Sequence, residues 1–210
     1  MCIWDRHYSI RKDWNLIESL IDNKSTILDI GCGEGGLIKQ LENNIQSDTR
    51  GIELDPELTR KAIADGLNVV QGDAENDLSQ YSNQSFDYVI LSRTLQATHK
   101  PKEVLKEMLR IGKKCIVSIP NFAHWKCRLD LLLKGEMPMT KTLSEPWYQT
   151  PNIHLCTIKD LITICNSLNI SIDKAFRISQ SGSIKSIKTP ESFYNNLFSV
   201  EGIFVISQKI

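Results

Sequence analysis

The sequence feature that most constrains this chain is a glycine-rich turn between a short apolar run and an amphipathic segment. Residues 27–30 read Ile-Leu-Asp-Ile and lead into Gly-Cys-Gly-Glu-Gly-Gly at residues 31–36. Gly31, Gly33 and Gly36 match the pattern G-x-G-x-x-G, in which glycines let backbone approach a ligand and a helix pack close to a strand. A strand–turn–helix unit without a ligand would use the same glycines. The pattern therefore predicts the local fold before it predicts a ligand.

Apolar runs recur along the chain, and amphipathic segments of helical period separate them. The first five predicted strands are residues 26–30, 50–53, 68–71, 86–91 and 114–119. Two later runs, residues 170–176 and 200–207, are predicted to extend the sheet. This alternation is typical of a doubly wound α/β sheet, which binds ligands at the carboxyl ends of its parallel strands. We expect residues 1–210 to form a single domain with a frayed end over about the first ten residues.

The alternation breaks between residues 120 and 156, which we interpret as an insertion over the edge of the sheet. A helix is predicted over residues 124–133, followed by an aromatic stretch that contains prolines and includes Trp147 and Tyr148. Aromatic residues concentrate at protein interfaces, although simple packing explains them equally well. Residues 178–188 are rich in Ser and Lys and are predicted to form a mobile surface loop.

The composition argues against several classes of function. Lys and Arg together number 25, as do Asp and Glu, so the formal net charge is zero. That balance offers no basic surface for nucleic acid or for an anionic membrane. No apolar stretch approaches the ~20 residues that span a bilayer, and the first residues lack a signal-peptide pattern. We therefore expect a cytoplasmic protein whose six cysteines are reduced thiols.

Acidic residues accompany the glycine-rich turn and the next two strands. Asp29 and Glu34 would repel a pyrophosphate but suit a ligand that carries an ammonium and a sulfonium. Glu53 lies 22 residues after Gly31, where a carboxylate can accept both hydroxyls of a ribose. Asp73, 20 residues later, can accept from an adenine amine. Each acid alone also fits a helix turn, a loop or an exposed strand end. The interpretation therefore depends on the acids occurring together, at or just after the ends of successive predicted strands.

The insertion contains two histidines and two cysteines, which are residue types that bind zinc. The pairs His124 with Cys127 and His154 with Cys156 have spacings that match no zinc-finger pattern. We therefore expect no metal, and interpret the thiols as packed and the imidazoles as hydrogen-bonded. Either histidine is still a candidate general base.

The chain resembles the class I S-adenosylmethionine-dependent methyltransferases in Asp29-Ile-Gly-Cys-Gly-Glu-Gly35, in Glu53 and in Gly72-Asp-Ala74. The resemblance implies a Rossmann-like sheet of seven strands, six parallel and the last antiparallel, that binds S-adenosylmethionine or S-adenosylhomocysteine. The glycine loop would hold the methionine part, and Glu53 the ribose. Asp73 and Ala74 would hold the adenine, and Ser92 would lie near the methyl group. The implied cofactor residues are Asp29, Gly31, Cys32, Gly33, Glu34, Gly35, Glu53, Leu54, Asp73, Ala74 and Ser92.

A closer resemblance is to the family of methionine biosynthesis protein MetW. It rests on Val89-Ile-Leu-Ser-Arg-Thr-Leu-Gln-Ala97, Ser118-Ile-Pro-Asn-Phe-Ala-His-Trp-Lys-Cys-Arg128 and Trp147-Tyr-Gln-Thr-Pro-Asn-Ile-His-Leu-Cys-Thr157. The likeness extends over residues 13–177 and includes the insertion. It implies a role in methionine biosynthesis with homoserine O-acetyltransferase (MetX) as partner, and it implies no methyl acceptor.

Two other functions stay open at this point. A methyltransferase that acts alone on a small molecule would need the same cofactor residues. Its catalytic residues are unknown, because Ser92-Arg-Thr-Leu95 stands where base and glutamine methyltransferases have Asn-Pro-Pro-Tyr. An NAD-dependent oxidoreductase is supported by the G-x-G-x-x-G pattern alone. The sequence therefore predicts a cofactor site more firmly than it predicts an enzyme.

Overall fold

The computed structural model describes residues 12–140 and 143–209, and the predicted frayed end lies outside them. The strands are β1 (Thr26–Ile30), β2 (Asp48–Glu53), β3 (Val69–Gln71), β4 (Phe86–Ser92), β5 (Gly112–Pro120), β6 (Ile170–Ser179), β7 (Ile184–Ser186) and β8 (Ser199–Gln208). The α-helices are α1 (Lys12–Ser19), α2 (Gly36–Ile45), α3 (Pro56–Ala64), α4 (Ala74–Asp77), α5 (Pro101–Ile111), α6 (Trp125–Lys134), α7 (Ile158–Ser167) and α8 (Phe193–Phe198). In this part of the chain no helix has both the length and the apolar character needed to cross a bilayer.

Local sequence explains where two of the helices begin. Asp55 accepts hydrogen bonds from two backbone N–H groups in the first turn of α3, at 2.7 and 3.3 Å, and Pro56 occupies the first helical position. Thr157 and Asp160 form a capping box at the start of α7, with Asp in the place usually taken by Glu. Both helix starts agree with the prediction from the sequence.

All eight strands join one sheet in the order β3-β2-β1-β4-β5-β8-β6-β7. β1 to β5 are parallel. β8 runs antiparallel to both β5 and β6, and β7 runs antiparallel to β6. Six strands therefore share one direction, which confirms the predicted doubly wound sheet with an antiparallel last strand. The short strand β7 makes the sheet one strand larger than the seven predicted.

A β-hairpin occupies much of residues 178–188, where the prediction of a mobile loop is wrong. β6 continues to Ser179, and β7 pairs with residues 176–178. β7 lies at the edge of the sheet, where Lys and Ser are tolerated because one side of the strand faces solvent. A polar composition therefore did not exclude a strand here.

Helices cover both faces of the sheet. Leu28 and Val89 pack with α5 and α7 on one face, while Ile27 and Ile90 pack with α1 and α2 on the other. All four side chains are fully buried, and adjacent residues of one strand point to opposite faces, as the pleat requires. The insertion between β5 and α7 contains α6 and little other regular structure. It reaches the end of the sheet at which the parallel strands terminate.

Candidate functional site

A cleft of about 920 Å³ opens at the carboxyl ends of the parallel strands. It lies where the strand order reverses, between β1 and β4: β2 and β3 follow β1 on one side, and β5 follows β4 on the other. Doubly wound sheets bind ligands at this position. Nine predicted cofactor residues line the cleft: Gly31, Cys32, Gly33, Glu34, Glu53, Leu54, Asp73, Ala74 and Ser92. Asp29 and Gly35 are not among its lining residues.

The loop between β1 and α2 depends on glycine for two physical reasons. Gly31 and Gly33 have φ of +71° and +59°, left-handed values that side chains disfavour. A Cβ on Gly31 would also lie 2.6 Å from both Cγ2 and Oγ1 of Thr94. At Gly36 the reason is packing, because a Cβ there would lie 2.5 Å from the indole of Trp14. The loop therefore presents bare backbone to the cleft.

Glu53 joins the glycine loop to the turn after β2. Its Oε2 accepts from the N–H of Gly33 at 2.8 Å, and its Oε1 accepts from the N–H of Asp55 at 2.9 Å. Because Glu53 is only 9% exposed, these bonds hold the carboxylate in one orientation at the cleft floor. Each carboxylate oxygen has a second lone pair, so Glu53 retains the capacity to accept two hydroxyl groups.

Asp73 caps the short helix α4 at the end of β3. Its carboxylate accepts from the N–H of Glu75 at 2.9 Å and from Nδ2 of Asn76 at 2.6 Å. The turn role that the sequence left as an alternative is therefore present, and it fixes the carboxylate on the cleft wall. Ala74, the next residue, also lines the cleft.

The two acids of the glycine turn have different surroundings. Glu34 lines the cleft and accepts from Nζ of Lys61 at 2.5 Å. Asp29 is 3% exposed within β1, so Glu34 is the one of the pair that lines the cleft. Burial, reinforced by Asp29 and Glu53, raises the pKa of the Cys32 thiol well above its ordinary value. Cys32 is therefore a neutral thiol near pH 7.

Arg93 is a cleft residue that the sequence analysis missed. It follows β4 with φ +56°, and its guanidinium donates to both carboxylate oxygens of Glu201 at 2.9 and 2.5 Å. A carboxylate oxygen of Asp13 on α1 lies 3.8 Å from its Nε. Burial would lower the pKa of Arg93, but Glu201 and then Asp13 outweigh burial and raise it. The guanidinium therefore ties α1 and β8 to the end of β4.

The loop after β4 and the insertion form the cleft wall beyond Ser92. Their lining residues include Thr94, Ala97, Thr98, Pro151 and Asn152. The backbone oxygen of Gln96 accepts from the N–H groups of Ile153 and His154, each at 2.9 Å, and so joins the insertion to the loop. Nδ2 of Asn152 and Oε1 of Gln96 are buried without a hydrogen-bond partner in the described part of the chain. Because a buried donor is costly to leave unsatisfied and Asn152 lines the cleft, its Nδ2 suits a ligand that carries a hydrogen-bond acceptor.

The charged residues that line the cleft are mostly acidic. Two of them are basic: Lys39 donates to Asp65 at 2.5 Å, and Arg93 is bound to Glu201. Six are acidic: Glu34, Glu53, Asp55, Asp65, Asp73 and Glu75. Among the described lining residues, this excess of carboxylates favours a cationic ligand and opposes a polyanion.

Neither candidate general base of the insertion lines the cleft. His124 is buried and caps α6, with its Nδ1 accepting from the N–H of Lys126 at 3.4 Å. Burial, and then the charge of Lys126, lowers the pKa of His124. His154 is exposed, whereas His99, just before α5, does line the cleft. Across residues 12–140 and 143–209, no three His, Cys, Asp or Glu side chains are grouped so that they could hold a metal ion.

Solved structures identify the class of fold. The chain is similar to a SAM-dependent methyltransferase from Thermotoga maritima, with a TM-score of 0.67 and 17% identity over 94% of this chain and 88% of that chain. It is similar to the [4+2]-cyclase SpnF with the same TM-score and 14% identity, over 95% of this chain and 81% of that chain. The chain thus has the class I methyltransferase fold. Because one of these neighbours is named as a cyclase, the fold alone assigns no reaction.

Sequence comparison then identifies the family. The profile of methionine biosynthesis protein MetW matches residues 11–206, so the chain belongs to the MetW family. The chain is also 31% identical over 175 residues to a bifunctional methionine biosynthesis protein MetXA/MetW from Rhodopirellula baltica. That match covers 79% of this chain but 28% of the relative, so the chain spans less than a third of the relative's length. The resemblance to MetW found in the sequence is confirmed.

Proposed function

We propose that this chain binds S-adenosylmethionine in the cleft and regulates a homoserine O-acetyltransferase partner (MetX) in methionine biosynthesis. The observation that carries the cofactor assignment is the acidic cleft at the strand-order reversal, with Glu53 held across its floor. The ammonium and sulfonium of the cofactor are positive, and the carboxylates attract them. When bound, the cofactor supplies an electrophilic methyl group.

The residues present fit each part of the cofactor. The bare backbone of the glycine loop suits the methionine part, and Glu53 has acceptor capacity for both ribose hydroxyls. A carboxylate oxygen of Asp73 and the N–H of Ala74 suit the adenine edge. Asp29 and Gly35 would support the glycine loop without contacting the ligand.

The same lining argues against an NAD-dependent oxidoreductase, because a pyrophosphate at a helix N-terminus requires positive potential. Calorimetry and thermal unfolding with S-adenosylmethionine, S-adenosylhomocysteine and NAD distinguish the two ligand classes. A ligand at ~100 times its Kd adds about 2.7 kcal/mol of stability. We expect that gain with S-adenosylmethionine and none with NAD. Stabilisation by NAD instead would refute the assignment.

A pair of glutamates provides the matched variants for this site. Glu53→Ala should abolish binding of S-adenosylmethionine, because it removes the acceptor for the ribose and releases the glycine loop. Glu57→Ala should bind normally, because Glu57 is exposed on α3, bonded to Arg60, and does not line the cleft. Equal affinities for the two variants would show that the cofactor does not use Glu53.

A regulatory role is supported by the chemistry at the end of β4. The residues there offer the hydroxyls of Ser92 and Thr94 and the paired guanidinium of Arg93, and none of these is an effective general base near pH 7. The imidazole among the described lining residues, His99, lies beyond this loop and just before α5. The Rhodopirellula baltica relative is named for MetXA and MetW together in one protein. Linkage in one chain holds two modules at a high effective concentration, which suits partners that work together.

The test is homoserine O-acetyltransferase activity with and without this chain, with S-adenosylmethionine and S-adenosylhomocysteine titrated separately. We expect the chain to change the rate, and the cofactor to change the size of that effect. A rate that the folded, cofactor-binding chain leaves unaltered would remove the partnership and leave the cofactor assignment intact.

An independent small-molecule methyltransferase is a second candidate, and the wall beyond Ser92 favours it. The cleft continues there to Asn152, whose buried Nδ2 has no partner in the described structure and could bind an acceptor. Release of S-adenosylhomocysteine on incubation with pools of small hydroxylated or amine-containing acceptors would support this reaction. Absence of turnover with every pool, together with an effect on the acetyltransferase, would favour the regulator.

We assign this activity to the cytoplasm. The five cysteines within the described residues are all free thiols. Free thiols are typical of a reducing compartment. A fluorescent fusion at either end of the chain should therefore distribute with cytoplasmic markers.

A further inference from the structure

α6 in the insertion exposes an apolar stripe. Six of its ten residues are apolar, yet Cys127 is its one buried residue. Trp125, Leu129, Leu132 and Leu133 are 36%, 43%, 78% and 76% exposed. They follow the spacing i, i+4, i+7, i+8, which places them on one helix face. Helices of globular proteins normally turn such a face towards a core, and this helix turns it towards solvent.

The exposed stripe continues onto α8. The guanidinium carbon of Arg128 lies 5.6 Å from the ring centroid of Phe193, which is 61% exposed. The rings of Tyr194 and Phe198 pack at a tilt with centroids 4.7 Å apart, and they are 56% and 40% exposed. Arg128 therefore connects the two helices into one apolar surface. We name this the α6–α8 surface: Trp125, Leu129, Leu132, Leu133, Phe193, Tyr194 and Phe198.

The size of the α6–α8 surface matches a protein interface. Its four aromatic side chains alone expose on the order of 400 Å², and three leucines add to that area. The largest apolar patch of a typical monomer is ~300–600 Å². Each partner in a standard-size complex buries ~800 Å². An apolar area of this size is enough to form the centre of a stable interface.

The charges around the α6–α8 surface are of both signs. The basic residues are Lys126, Arg128, Lys134 and Arg177, the last with its guanidinium carbon 5.3 Å from the ring centroid of Tyr194; Asp130 and Glu136 are acidic, and Asp130 pairs with Lys134 at 2.7 Å. Such a mixed rim produces no field that would attract nucleic acid or an anionic bilayer. An apolar centre with a polar rim of mixed sign is the usual anatomy of a protein–protein interface.

The insertion also connects this surface to the cleft. α6 lies near the start of the insertion, and two later residues of the insertion, Pro151 and Asn152, line the cleft wall. The N–H groups of Ile153 and His154 then bind the backbone oxygen of Gln96 in the loop after β4. A protein bound to the α6–α8 surface would thus contact the same segment that forms one wall of the cofactor cleft.

We infer that the α6–α8 surface binds the acetyltransferase subunit and carries the effect of cofactor occupancy to it. This inference rests on the proposed function, which supplies the partner. The apolar area, the mixed rim and the connection to the cleft select this surface for that partner. The Rhodopirellula baltica relative is named for MetXA and MetW together in one protein, which agrees with a partner of this kind.

The experiment compares charge substitutions at exposed apolar residues on the α6–α8 surface and away from it. The double variant Leu132→Glu with Leu133→Glu places two carboxylates in the centre of the surface. Ile63→Glu, at a 54% exposed position of α3 that does not line the cleft, is the matched control. Binding of each chain to homoserine O-acetyltransferase of the same organism is measured by calorimetry. Binding of S-adenosylmethionine to each chain verifies that the cleft is folded.

We expect the wild type and Ile63→Glu to bind the acetyltransferase with equal affinity, and the double variant to bind at least 30-fold more weakly, as expected of interface hot spots. S-adenosylmethionine affinity should be the same for all three chains. Undiminished acetyltransferase binding by the double variant would reject this surface while the partnership stands. No binding by the wild type would reject the partnership itself. Loss of self-association instead, seen by sedimentation, would assign the surface to a second copy of the chain.

Discussion

The cleft and the α6–α8 surface both expose side chains that can bind another molecule, but the fold supports the two regions in different ways. In the cleft, Glu53 bridges two turns, and Arg93 binds carboxylates from α1 and β8. On the α6–α8 surface, Leu132 and Leu133 are more than three-quarters exposed and contribute little to the fold. Folding therefore completes the cleft, whereas the surface requires another molecule. Substitutions should accordingly destabilise the chain in the first region and affect assembly alone in the second.

The largest loss of stability is expected from Arg93→Met. It would leave Glu201, which is 1% exposed, and Asp13, which is 2% exposed, without their guanidinium. Removing one partner of a buried ion pair costs about 3–5 kcal/mol of unfolding free energy. Arg60→Met is the control, because its pair with Glu57 is exposed and such pairs contribute ~1 kcal/mol or less. Urea unfolding measures both, and similar losses would mean that the buried pair does not support the cleft.

Gly31→Ala should have the next largest effect. The left-handed backbone disfavours any side chain, and the new Cβ would clash with Thr94, so we expect a loss of about 2–4 kcal/mol. Gly66→Ala separates the two causes, because Gly66 has φ +83° but open space where a Cβ would lie. Backbone strain alone should cost it about 1–2 kcal/mol. Equal unfolding free energies for the two variants would contradict close packing beneath the glycine loop.

A smaller, pH-dependent effect is expected at the opposite end of the sheet. Asp87 accepts from Nζ of Lys113 at 2.8 Å and from the N–H and Oγ1 of Thr26 at 2.9 and 2.8 Å. The bond to Lys113, and then those to Thr26, lower the pKa of Asp87 from 3.8 to about 2. Asp87 binds a proton more readily in the unfolded chain than in the folded one. The stabilisation from its bonds is therefore complete above pH 3.8 and is lost as the pH falls towards about 2. Asp87→Asn should flatten that part of the stability profile, and an unchanged acid limb would count against the assignment.

The smallest effect is expected on the α6–α8 surface. Leu132→Ala should change the unfolding free energy of the isolated chain by less than ~0.5 kcal/mol, because the side chain is 78% exposed. Leu105→Ala in α5, where the leucine is fully buried, should cost about 2–5 kcal/mol. Thermal or urea unfolding compares them directly. A loss at Leu132 close to that at Leu105 would show that α6 packs within its own chain and that the surface, like the cleft, is completed by folding.

Local signals explain what the sequence predicted well. The apolar run ending at Ile30, the glycines and the Asp55–Pro56 helix start each act over a few residues, and the structure places them as predicted. Glu53 and Asp73 follow from the same logic, because parallel strands end at one edge and bring their terminal residues together. Their roles toward a ligand are still predictions.

Contacts distant in sequence explain what was missed. Arg93 and Glu201 are separated by 108 residues, and nothing near either residue signals the pair. At α6 the apolar spacing was visible, but a helical pattern does not say whether the partner of its apolar face belongs to the same chain. β7 was missed for a third reason, because an edge strand needs few apolar residues.

The strand order also affects how the chain folds while it is being synthesised. Among the described residues β8 is the last strand in sequence, yet it lies inside the sheet and pairs with β5 on one side and β6 on the other. Until residues 199–208 have left the ribosome, β5 keeps an unpaired edge, and the β6–β7 hairpin has no place to dock. From the completion of β5 to the emergence of β8, the nascent chain therefore carries an exposed strand edge that favours aggregation. A ribosome that stalled shortly before Ser199 would yield two disconnected pieces of sheet.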